Sequence, residues 1–529
     1  MKLTVIHNLL KAGLLCLGLA ASSVAADKPH IVYILADDMG SGDVSCINPE
    51  SKIPTIELDK LASEGSLFND AHSGSSVCTP TRYSIMTGRY SWRTTLKERV
   101  LNSYSPCHIP KERDTVASLL KRNGYNTAMI GKWHLGLDWT PKAGKDKVSV
   151  EEDVDFTQPI THGPLDLGFD SWYGPATSWD MKPYAFIEGR KMETQDLVQT
   201  GKSDLYPRPQ EYLDAQTKGA KNKELNSIMK KYPKVVWRPG LMARGMKATD
   251  AMPLIINRAV KHINEYNSDK PLFIYMPLTA PHTPVTPSER WRGKSNAGSY
   301  GDFVLELDWC VGEVVKALKE KNMFDDTLLI FTADNGASLK AIPAYIIEKY
   351  QHNPHHLYDG AKGRVQEGGH RVPFIASWPK GMQKKGGVSN AVISLNDLYA
   401  TCAELVNETI ADNAAEDSVS MLSFLQDSSK TTTDRLLVHH AASGELSIRL
   451  GDWKLSDLHK GSKKMSLYNL KEDLGEKNNL FKTKPEKARE LQKRLAQIIL
   501  DGRSTSGAIQ KNEGVKIWPQ IEWVNTINQ

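Results

Sequence analysis

The stretch PHIVYILADD, residues 29–38, decides the fold class of this chain. Its apolar, β-branched run shows no polar alternation and ends abruptly at Asp37 and Asp38. An uninterrupted apolar run is typical of a strand buried on both faces, as in a parallel sheet covered by helices. The two acids would then lie at the carboxyl end of that strand.

The same pattern occurs three more times along the chain. Each apolar run ends in residues that carry chemistry: Asn126–Gly131 before Lys132-Trp133-His134, Pro271–Thr279 before Ala280-Pro281-His282, and Thr327–Ala333 before Asp334-Asn335-Gly336. Helical patterns lie between the runs, at Ile56–Glu64, Thr115–Asn123, Pro253–Asn267 and Asp302–Lys321. This alternation predicts an α/β fold with a mostly parallel sheet. Because ligands bind outside the carboxyl ends of such strands, the four polar ends predict one site.

Composition limits the class of protein. The chain has 529 residues, of which 40% are hydrophobic and 24% charged. Its mean hydropathy is −0.43. These values exclude a disordered chain and a polytopic membrane protein. The formal net charge of +5 includes Lys2 and Lys11 of the leader, so the rest of the chain is too weakly basic to predict a nucleic-acid partner.

Residues 1–26 have the pattern of a secretory signal peptide. Lys2 and Lys11 supply positive charge, an apolar run covers Gly13–Ala20, and small residues follow. The alternative of a membrane anchor is disfavoured because the apolar run falls short of the ~20 residues that span a bilayer. A lipid anchor at Cys16 is the other alternative. We expect an exported protein, periplasmic or secreted, with no stable membrane insertion.

Five cysteines remain after the leader, an odd number for an oxidising compartment, so at least one should be unpaired. The polar stretch that ends at Arg435 predicts a domain boundary. We assign residues 27–435 to a catalytic domain and residues 436–529 to a C-terminal subdomain. Short strands are predicted there at Leu446–Leu450, Trp453–Leu455 and Lys464–Tyr468, followed by an amphipathic helix at Pro485–Leu500.

The sharpest local motif is Cys78-Thr79-Pro80-Thr81-Arg82. Taken alone, Cys78 could be a buried thiol, or a redox thiol whose pKa is lowered by Arg82. The motif resembles the C-x-P-x-R signature of the formylglycine-dependent sulfatases, the type I or arylsulfatase-like family. The other sequence segments typical of this family are also present, and they occur in the same order as in the family. They are Asp37-Asp38, Gly131-Lys132-Trp133-His134, His282, Asp334-Asn335, and Lys362 ahead of Glu367-Gly368-Gly369-His370-Arg371.

The resemblance covers about residues 29 to 503. Within the family, the chain resembles the exported carbohydrate sulfatases of bacteria. The resemblance implies an alkaline-phosphatase-like α/β sandwich with a central, mostly parallel sheet. It also implies a smaller C-terminal α+β subdomain with a short antiparallel sheet. The implied reaction is hydrolysis of a sulfate monoester.

The side chains predicted to bind the metal offer only oxygen atoms as ligands. Asp37, Asp38, Asp334 and Asn335 suit a hard divalent cation better than zinc. We predict Ca²⁺, with Mg²⁺ as the alternative, and the resemblance adds Cys78, in modified form, to the ligands. The alternative for Asp37 and Asp38 is a helix N-cap, but two adjacent buried acids would repel each other without a counter-ion.

The resemblance implies that a maturation enzyme oxidises Cys78 to formylglycine, also called 3-oxoalanine. In the implied reaction, one hydroxyl of the hydrated aldehyde attacks sulfur and displaces the substrate alcohol. Loss of a proton from the other hydroxyl then lets the aldehyde reform as the C–O bond to sulfate breaks and sulfate leaves. By the same resemblance, His134 takes that proton and His282 protonates the leaving oxygen. The implied stabilisers of sulfate charge are Arg82, Lys132 and Lys362.

Three further residues are candidates for substrate binding. Ser178 is a candidate for sulfate and Asp180 for sugar hydroxyls, while His352 lies in the segment that leads to Lys362. The substrate we expect is a sulfated carbohydrate, such as 6-O-sulfated galactose or N-acetylgalactosamine. One alternative is a phosphodiesterase or phosphonate monoester hydrolase of the same superfamily. Another is a non-catalytic glycan-binding relative, in which loss of Cys78, Arg82 or a metal-site Asp would be expected, and all of these are present.

Overall fold

The computed structural model describes residues 28–200, 210–230, 238–432, 434–458, 465–525 and 527. The predicted signal peptide, residues 1–26, lies outside them. The strands in these ranges are β1 (His30–Ala36), β2 (Ser66–Phe68), β3 (Ala71–His72), β4 (Asn126–Ile130), β5 (Ser171–Gly174), β6 (Ile187–Glu188), β7 (Lys191–Met192), β8 (Leu197–Gln199), β9 (Leu241–Ala243), β10 (Leu272–Pro277), β11 (Thr327–Ala333), β12 (Phe374–Ser377), β13 (Gly387–Ser389), β14 (Ile393–Ser394), β15 (Leu436–His440), β16 (Leu446–Leu450), β17 (Trp453–Ser456) and β18 (Ser466–Asn469).

Helices separate most of the long strands. They are α1 (Ile56–Glu64), α2 (Cys78–Thr87), α3 (Val116–Arg122), α4 (Gln210–Thr217), α5 (Asn222–Lys230), α6 (Ala251–Glu265), α7 (Gly298–Glu320), α8 (Ala344–Tyr350), α9 (Glu367–His370), α10 (Asp397–Leu405), α11 (Leu422–Gln426) and α12 (Pro485–Asp501). Short 3₁₀ turns complete the connections, for example at Ser41–Asp43 and Ser91–Arg93.

One ten-stranded sheet forms the centre of the molecule, in the order β13-β2-β12-β11-β1-β10-β4-β5-β6-β7. The five strands from β11 to β5 run parallel to one another. The strands on either side bring in antiparallel pairs. All four apolar runs predicted as strands are among the parallel five, so the predicted α/β class is confirmed.

Burial explains why these segments are strands. Six of the seven residues of β1 are buried, as are all residues of β10 and β11. Helix α7 contacts α1 and α6, and α10 contacts α2 and α3, so these helices form two groups that pack against the sheet. Strands covered in this way need continuous apolar sequence.

Gly131 lets the chain turn sharply at the end of β4. Its φ is +134°, and a Cβ there would lie 2.0 Å from the carbonyl oxygen of Pro277, on the neighbouring strand β10. Only glycine adopts this conformation with so little space. The turn brings Lys132 and His134 directly to the sheet edge.

A second, four-stranded antiparallel sheet has the order β15-β16-β17-β18. Helix α12 packs against β16 and β17 and buries Leu491 and Leu495. The predicted strands and helix of this region are present, and β15 is an additional strand that the sequence analysis did not predict. Tyr90 reaches into this core from the end of α2 and accepts a hydrogen bond from the backbone of Val438 at 3.0 Å. The domain boundary at residue 435 stays a prediction.

Two further findings concern the cysteines and the possibility of a membrane-spanning helix. The five cysteines that the structure describes, Cys46, Cys78, Cys107, Cys310 and Cys402, are all free thiols. Within the described ranges, no helix has both the length and the apolar character needed to cross a membrane.

Candidate active site

Loops at the carboxyl ends of the parallel strands meet at one edge of the sheet. Asp37 and Asp38 follow β1, Lys132 and His134 follow β4, His282 lies after β10, and Asp334 and Asn335 follow β11. Cys78 begins α2 and points its thiol into the same group. Side chains as far apart in sequence as Asp38 and Asn335, separated by 297 positions, therefore lie within hydrogen-bond distance.

Three carboxylates and one amide form the centre of this group. The backbone N–H of Asp38 donates to Asp334 Oδ1 at 3.1 Å, and Asn335 Nδ2 donates to Asp38 Oδ1 at 2.9 Å. Ligand atoms of Asp37, Asp38, Cys78 and His282 all lie within 4.8 Å of one another. Asp38 has φ +67°, an uncommon value for a non-glycine residue that is often found at functional sites.

The donor atoms fit a hard divalent cation. Asp38 Oδ2 and Asn335 Oδ1 are buried and have no hydrogen-bond partner among the described residues. Buried oxygen atoms without a partner are costly unless something binds them. Oxygen-only ligands favour Ca²⁺ or Mg²⁺. Asp37, Asp38, Asp334 and Asn335 could therefore hold such an ion.

The Cys78 thiol lies directly beside these carboxylates. Its Sγ is 3.5 Å from Asp37 Oδ1, 3.8 Å from Asp38 Oδ1 and 3.2 Å from Lys362 Nζ. Burial raises the pKa of the Cys78 thiol well above its usual range, although Lys132 and Lys362 act in the opposite direction. The thiol is therefore protonated at neutral pH, which argues against the alternative of a low-pKa redox cysteine.

Two lysines contact the carboxylates from different sides. Lys132 Nζ is 2.7 Å from Asp37 Oδ2, and Lys362 Nζ is 2.5 Å from Asp38 Oδ1. Burial alone would raise the pKa of Asp37, but Lys132, followed by other nearby cations, lowers it well below the ordinary value. Burial would lower the pKa of Lys362, but Asp38 raises it well above the usual range. Both effects keep these groups charged.

Arg82 has a different immediate task from the two lysines. Its Nε and Nη2 donate to Asp334 Oδ2 at 3.0 and 2.8 Å, and Nη1 donates to the carbonyl oxygen of Lys132 at 3.1 Å. Its side chain is fully buried. Arg82 thus orients a candidate metal ligand and the loop after β4, and its positive charge also lies 3.5 Å from Asp37 Oδ1.

His134 is held in one tautomer. Its Nε2 lies 3.0 Å from the carbonyl oxygen of Leu101, which can only accept, so Nε2 carries the proton. Nδ1 is then the basic nitrogen, and it is buried without a hydrogen-bond partner in the described residues. Burial, together with Lys132 and Arg82, lowers the His134 pKa well below 6.5. This arrangement suits a group that accepts a proton.

His282 lies beside Asp38. Its Nδ1 contacts the carbonyl oxygen of Thr283 and must donate to it, while Nε2 is 3.6 Å from Asp38 Oδ2. The side chain is 10% exposed, so His282 borders the open side of the site. An imidazole in this position can deliver a proton from Nε2.

Ser178 and Asp180 lie in the loop that follows β5. This loop is joined to the His134 loop because the backbone N–H of His134 donates to the carbonyl oxygen of Ala176 at 2.9 Å. Ser178 Oγ and Asp180 Oδ1 are buried and have no hydrogen-bond partner among the described residues. Free polar atoms beside the site are compatible with the predicted substrate contacts, which stay a prediction.

His352 is held by other protein groups, and its predicted substrate contact stays a prediction. Its side chain is fully buried, Nε2 is 2.8 Å from Asp43 Oδ1, and Nδ1 accepts from the backbone N–H of Lys52 at 3.3 Å. Both ring nitrogens are therefore occupied. Asp43 in turn accepts from the backbone N–H of Gly40 at 2.9 Å, so His352 supports the loop after Asp38.

Two groups that orient His134 were missed in the sequence analysis. Thr79 Oγ1 donates to the carbonyl oxygen of His134 at 3.0 Å and accepts from the backbone N–H of Leu101 at 3.3 Å. The position of Thr79 directly after Cys78 could have indicated its importance. The carbonyl group of Leu101 carries no residue-specific signal, so no sequence pattern could have identified it.

This geometry, on a mostly parallel sheet, is compatible with the hydrolysis of an oxyacid ester. Residues 29–408 match the family model described as sulfatase, and the chain belongs to that family. It is a sulfuric ester hydrolase. It is 31% identical over 496 residues to an N-acetylgalactosamine-6-O-sulfatase of Bacteroides thetaiotaomicron, with 89% of this chain and 93% of that protein covered.

Solved structures agree with the fold. A structure described with the metabolism of multiple glycosaminoglycans by Bacteroides thetaiotaomicron superposes with a TM-score of 0.74 at 29% identity, covering 89% of this chain and 99% of that one. The phosphonate monoester hydrolase of Agrobacterium radiobacter gives a TM-score of 0.55 at 18% identity, with 89% and 95% covered. The second likeness shows the fold alone, and the predicted alkaline-phosphatase-like class is confirmed.

Proposed function

We propose that this sulfatase removes O-sulfate groups from a carbohydrate, with 6-O-sulfated N-acetylgalactosamine or galactose as the first candidates. Residue 78 acts as formylglycine, and a divalent cation, Ca²⁺ or Mg²⁺, binds to Asp37, Asp38, Asp334 and Asn335. One observation supports this proposal most directly: Lys362 Nζ and the carboxylates of Asp37 and Asp38 all lie within 3.8 Å of Cys78 Sγ. The name of the Bacteroides relative supports the substrate class.

The cation and the modified residue 78 would together supply a Lewis acid and an activated oxygen nucleophile. Lys132 and Lys362 bind the anionic sulfate group and stabilise the charge that develops on its oxygens. The amino end of α2, where residue 78 lies, adds the positive end of a ten-residue helix dipole. Arg82 holds Asp334 in place during the reaction.

Two histidines divide the proton transfers. His282 gives a proton from Nε2 to the oxygen of the leaving sugar. His134 accepts a proton at Nδ1 when sulfate is released, because Leu101 keeps the Nε2 proton in place. One histidine must start protonated and the other neutral, and the lowered pKa of His134 favours this division.

We also propose that the enzyme is exported and that Cys78 is modified before the chain folds. An exported chain, with residues 1–26 as its signal peptide, would meet sulfated glycans outside the cytoplasm. A formylglycine-generating enzyme must act on Cys78 before the site closes, because the thiol is 1% exposed in the folded chain. The maturation enzyme is therefore a partner of the unfolded chain.

A parallel turnover assay tests the function. Purified enzyme is given 6-O-sulfated N-acetylgalactosamine, 6-O-sulfated galactose, an aryl sulfate, an aryl phosphodiester and a phosphonate monoester. We expect release of sulfate from a 6-O-sulfated sugar, and mass spectrometry should find an aldehyde at residue 78. The Cys78→Ala variant is the matched control and should fold but not turn over. Faster turnover of either phosphorus ester by an enzyme with modified Cys78 would favour the phosphodiesterase alternative.

A further inference from the structure

The hairpin between β15 and β16, here called the 440–442 hairpin for His440, Ala441 and Ala442, contacts three separate active-site segments. We propose that His440 is a positioning residue: its side chain holds the segment of residues 97–101, and that segment fixes the tautomer of the base His134. This inference rests on the proposed function for the role of His134. The hairpin belongs to the C-terminal sheet, which the sequence analysis placed outside the catalytic domain.

The first contact is with the segment before the nucleophile. The carbonyl oxygen of His440 accepts from the backbone N–H of Ser76 at 2.9 Å and from Ser75 Oγ at 2.8 Å. Ser76 lies two residues before Cys78, the start of α2. These bonds involve the His440 backbone only, so they are unaffected by a change of the His440 side chain.

The second contact is with the segment that carries Lys362. The backbone N–H of Ala442 donates to the carbonyl oxygen of Gly363 at 3.2 Å. The backbone N–H of Gly363 donates to the carbonyl oxygen of Ser76 at 2.8 Å. The hairpin, the nucleophile segment and the Lys362 segment therefore form one connected backbone network.

The third contact depends on the His440 side chain. Its Nε2 lies 2.7 Å from the carbonyl oxygen of Lys97 and must donate to it. The backbone N–H of Arg99 donates to the carbonyl oxygen of Ala442 at 2.9 Å, and Arg99 has φ +62°. Two bonds thus hold residues 97–99 in an uncommon conformation that a free loop would leave.

The same segment ends at the base. Two residues beyond Arg99, the carbonyl oxygen of Leu101 accepts from His134 Nε2 at 3.0 Å. His134 itself has φ +60°. If the segment shifts, the Leu101 carbonyl no longer fixes which nitrogen of His134 carries the proton. The His440 side chain then acts on the reaction without touching substrate, and misplacement by about 1 Å can cost up to about 100-fold in rate.

Burial makes this link rigid. The His440 ring is 1% exposed, and its Nδ1 has no hydrogen-bond partner among the described residues. The single side-chain bond to Lys97 is therefore the polar contact that orients the ring. A glutamine at this position has an amide N–H that can reach the Lys97 carbonyl, whereas the shorter asparagine falls short of it.

The test compares His440→Ala, His440→Gln and His440→Asn with the wild type, all checked for formylglycine at residue 78. We expect kcat of the alanine and asparagine variants to fall by about 10- to 100-fold, with KM changed by less than about threefold. Glutamine should restore most of the rate. Hydrogen–deuterium exchange of residues 97–101 should rise in the alanine and asparagine variants and return to wild-type values with glutamine.

A matched control is His30→Ala, because His30 lies at the amino end of β1, away from the site, and its ring likewise makes a hydrogen bond to the backbone, with Nδ1 accepting from the N–H of Leu272. It should lower stability without changing kcat. Unchanged kcat and exchange in all His440 variants would overturn the proposal, as would a fall in kcat without faster exchange at 97–101. If the alanine variant does not fold, the glutamine and asparagine pair gives the same comparison. If the proposed function is wrong, the wild type should turn over a phosphorus ester instead of a sulfated sugar. The His440 variants are then compared with the wild type on that phosphorus ester, and the expected loss of rate is the same.

Discussion

Lys454 of β17 lies 2.9 Å from Glu367 Oε1 and 3.0 Å from Glu476 Oε1, and none of the three side chains is exposed. Glu367 begins α9, in the segment after Lys362. Burial alone would raise the pKa of Glu367, but Lys454 lowers it well below the usual range. Burial raises the pKa of Glu476 to about 7. A single cation from the C-terminal sheet thus neutralises a carboxylate of the large sheet's loops.

Replacement of Lys454 by Met should strongly destabilise the protein. The change leaves Glu367 buried without its main counter-charge, and breaking a buried pair in this way costs about 3–5 kcal/mol. The free energy of unfolding in urea measures the effect. The control is Lys319→Met, which removes an ion pair with Glu64 whose side chains are 46% and 42% exposed, and should cost less than about 1 kcal/mol. Equal effects of the two substitutions would contradict the role assigned to Lys454.

His134→Gln should lower kcat by about 100- to 10,000-fold, the usual contribution of a positioned base. The base must be neutral to accept a proton, and its pKa lies well below 6.5 because of burial, Lys132 and Arg82. The wild-type rate should therefore persist as the pH falls through 6.5. A pH profile of kcat measures this. A loss of rate centred at or above pH 6.5 would show that His134 titrates as an ordinary histidine.

Buried histidines should also make stability depend on pH. Burial lowers the pKa of His72, His370, His439 and His440, the last to about 4. The unfolded chain then binds protons first, so stability is lost as the pH falls below 6.5. For His440 alone the loss between pH 6.5 and 4 amounts to about 3 kcal/mol. Glutamine keeps the bond to Lys97 and does not titrate, so the melting temperatures of the wild type and His440→Gln should be similar near pH 7. They should diverge toward acid pH, with the wild type falling below the variant, and parallel curves would refute this assignment.

Metal binding should stabilise the folded chain. A cation that binds only the folded state adds about 2.7 kcal/mol at a concentration 100 times its Kd. Addition of Ca²⁺ to chelator-treated enzyme should raise Tm, and a parallel titration with Mg²⁺ shows which ion binds more tightly. Asn335→Ala removes one candidate ligand and should weaken the shift. The control Asn390→Ala alters an exposed contact with Asn69 and should leave the shift intact. An equal metal-induced shift in both variants would remove Asn335 from the site.

Sequence alone predicted the central sheet well because its signal is local. The runs of β1, β4, β10 and β11 are apolar from end to end, and burial on both faces requires that pattern. Strand β15 was missed because His439 and His440 end it, and polar residues at a strand end obscure a five-residue run. The helix that begins at Cys78 was read as a motif instead, because Pro80 and the threonines give no helical periodicity.

Some features of the candidate site could likewise be predicted from local sequence, and others could not. Motif residues such as Asp37 and Lys362 could be assigned from sequence, since each has a characteristic neighbour. The tautomer of His134 could not, because it depends on a backbone carbonyl 33 residues away. The task of Arg82 also needed coordinates, because only distances show that its guanidinium donates to Asp334.

His352 gives the sharpest test of structure against sequence. If His352 supports Asp43, His352→Ala leaves one oxygen of Asp43 and the backbone N–H of Lys52 without partners, at a cost of about 1–3 kcal/mol. KM should stay near the wild-type value while Tm falls. Tyr300→Phe removes another hydrogen bond to Asp43, of 2.7 Å, and should act in the same direction. A raised KM at unchanged Tm in His352→Ala would instead return His352 to the substrate site, where the sequence analysis first placed it.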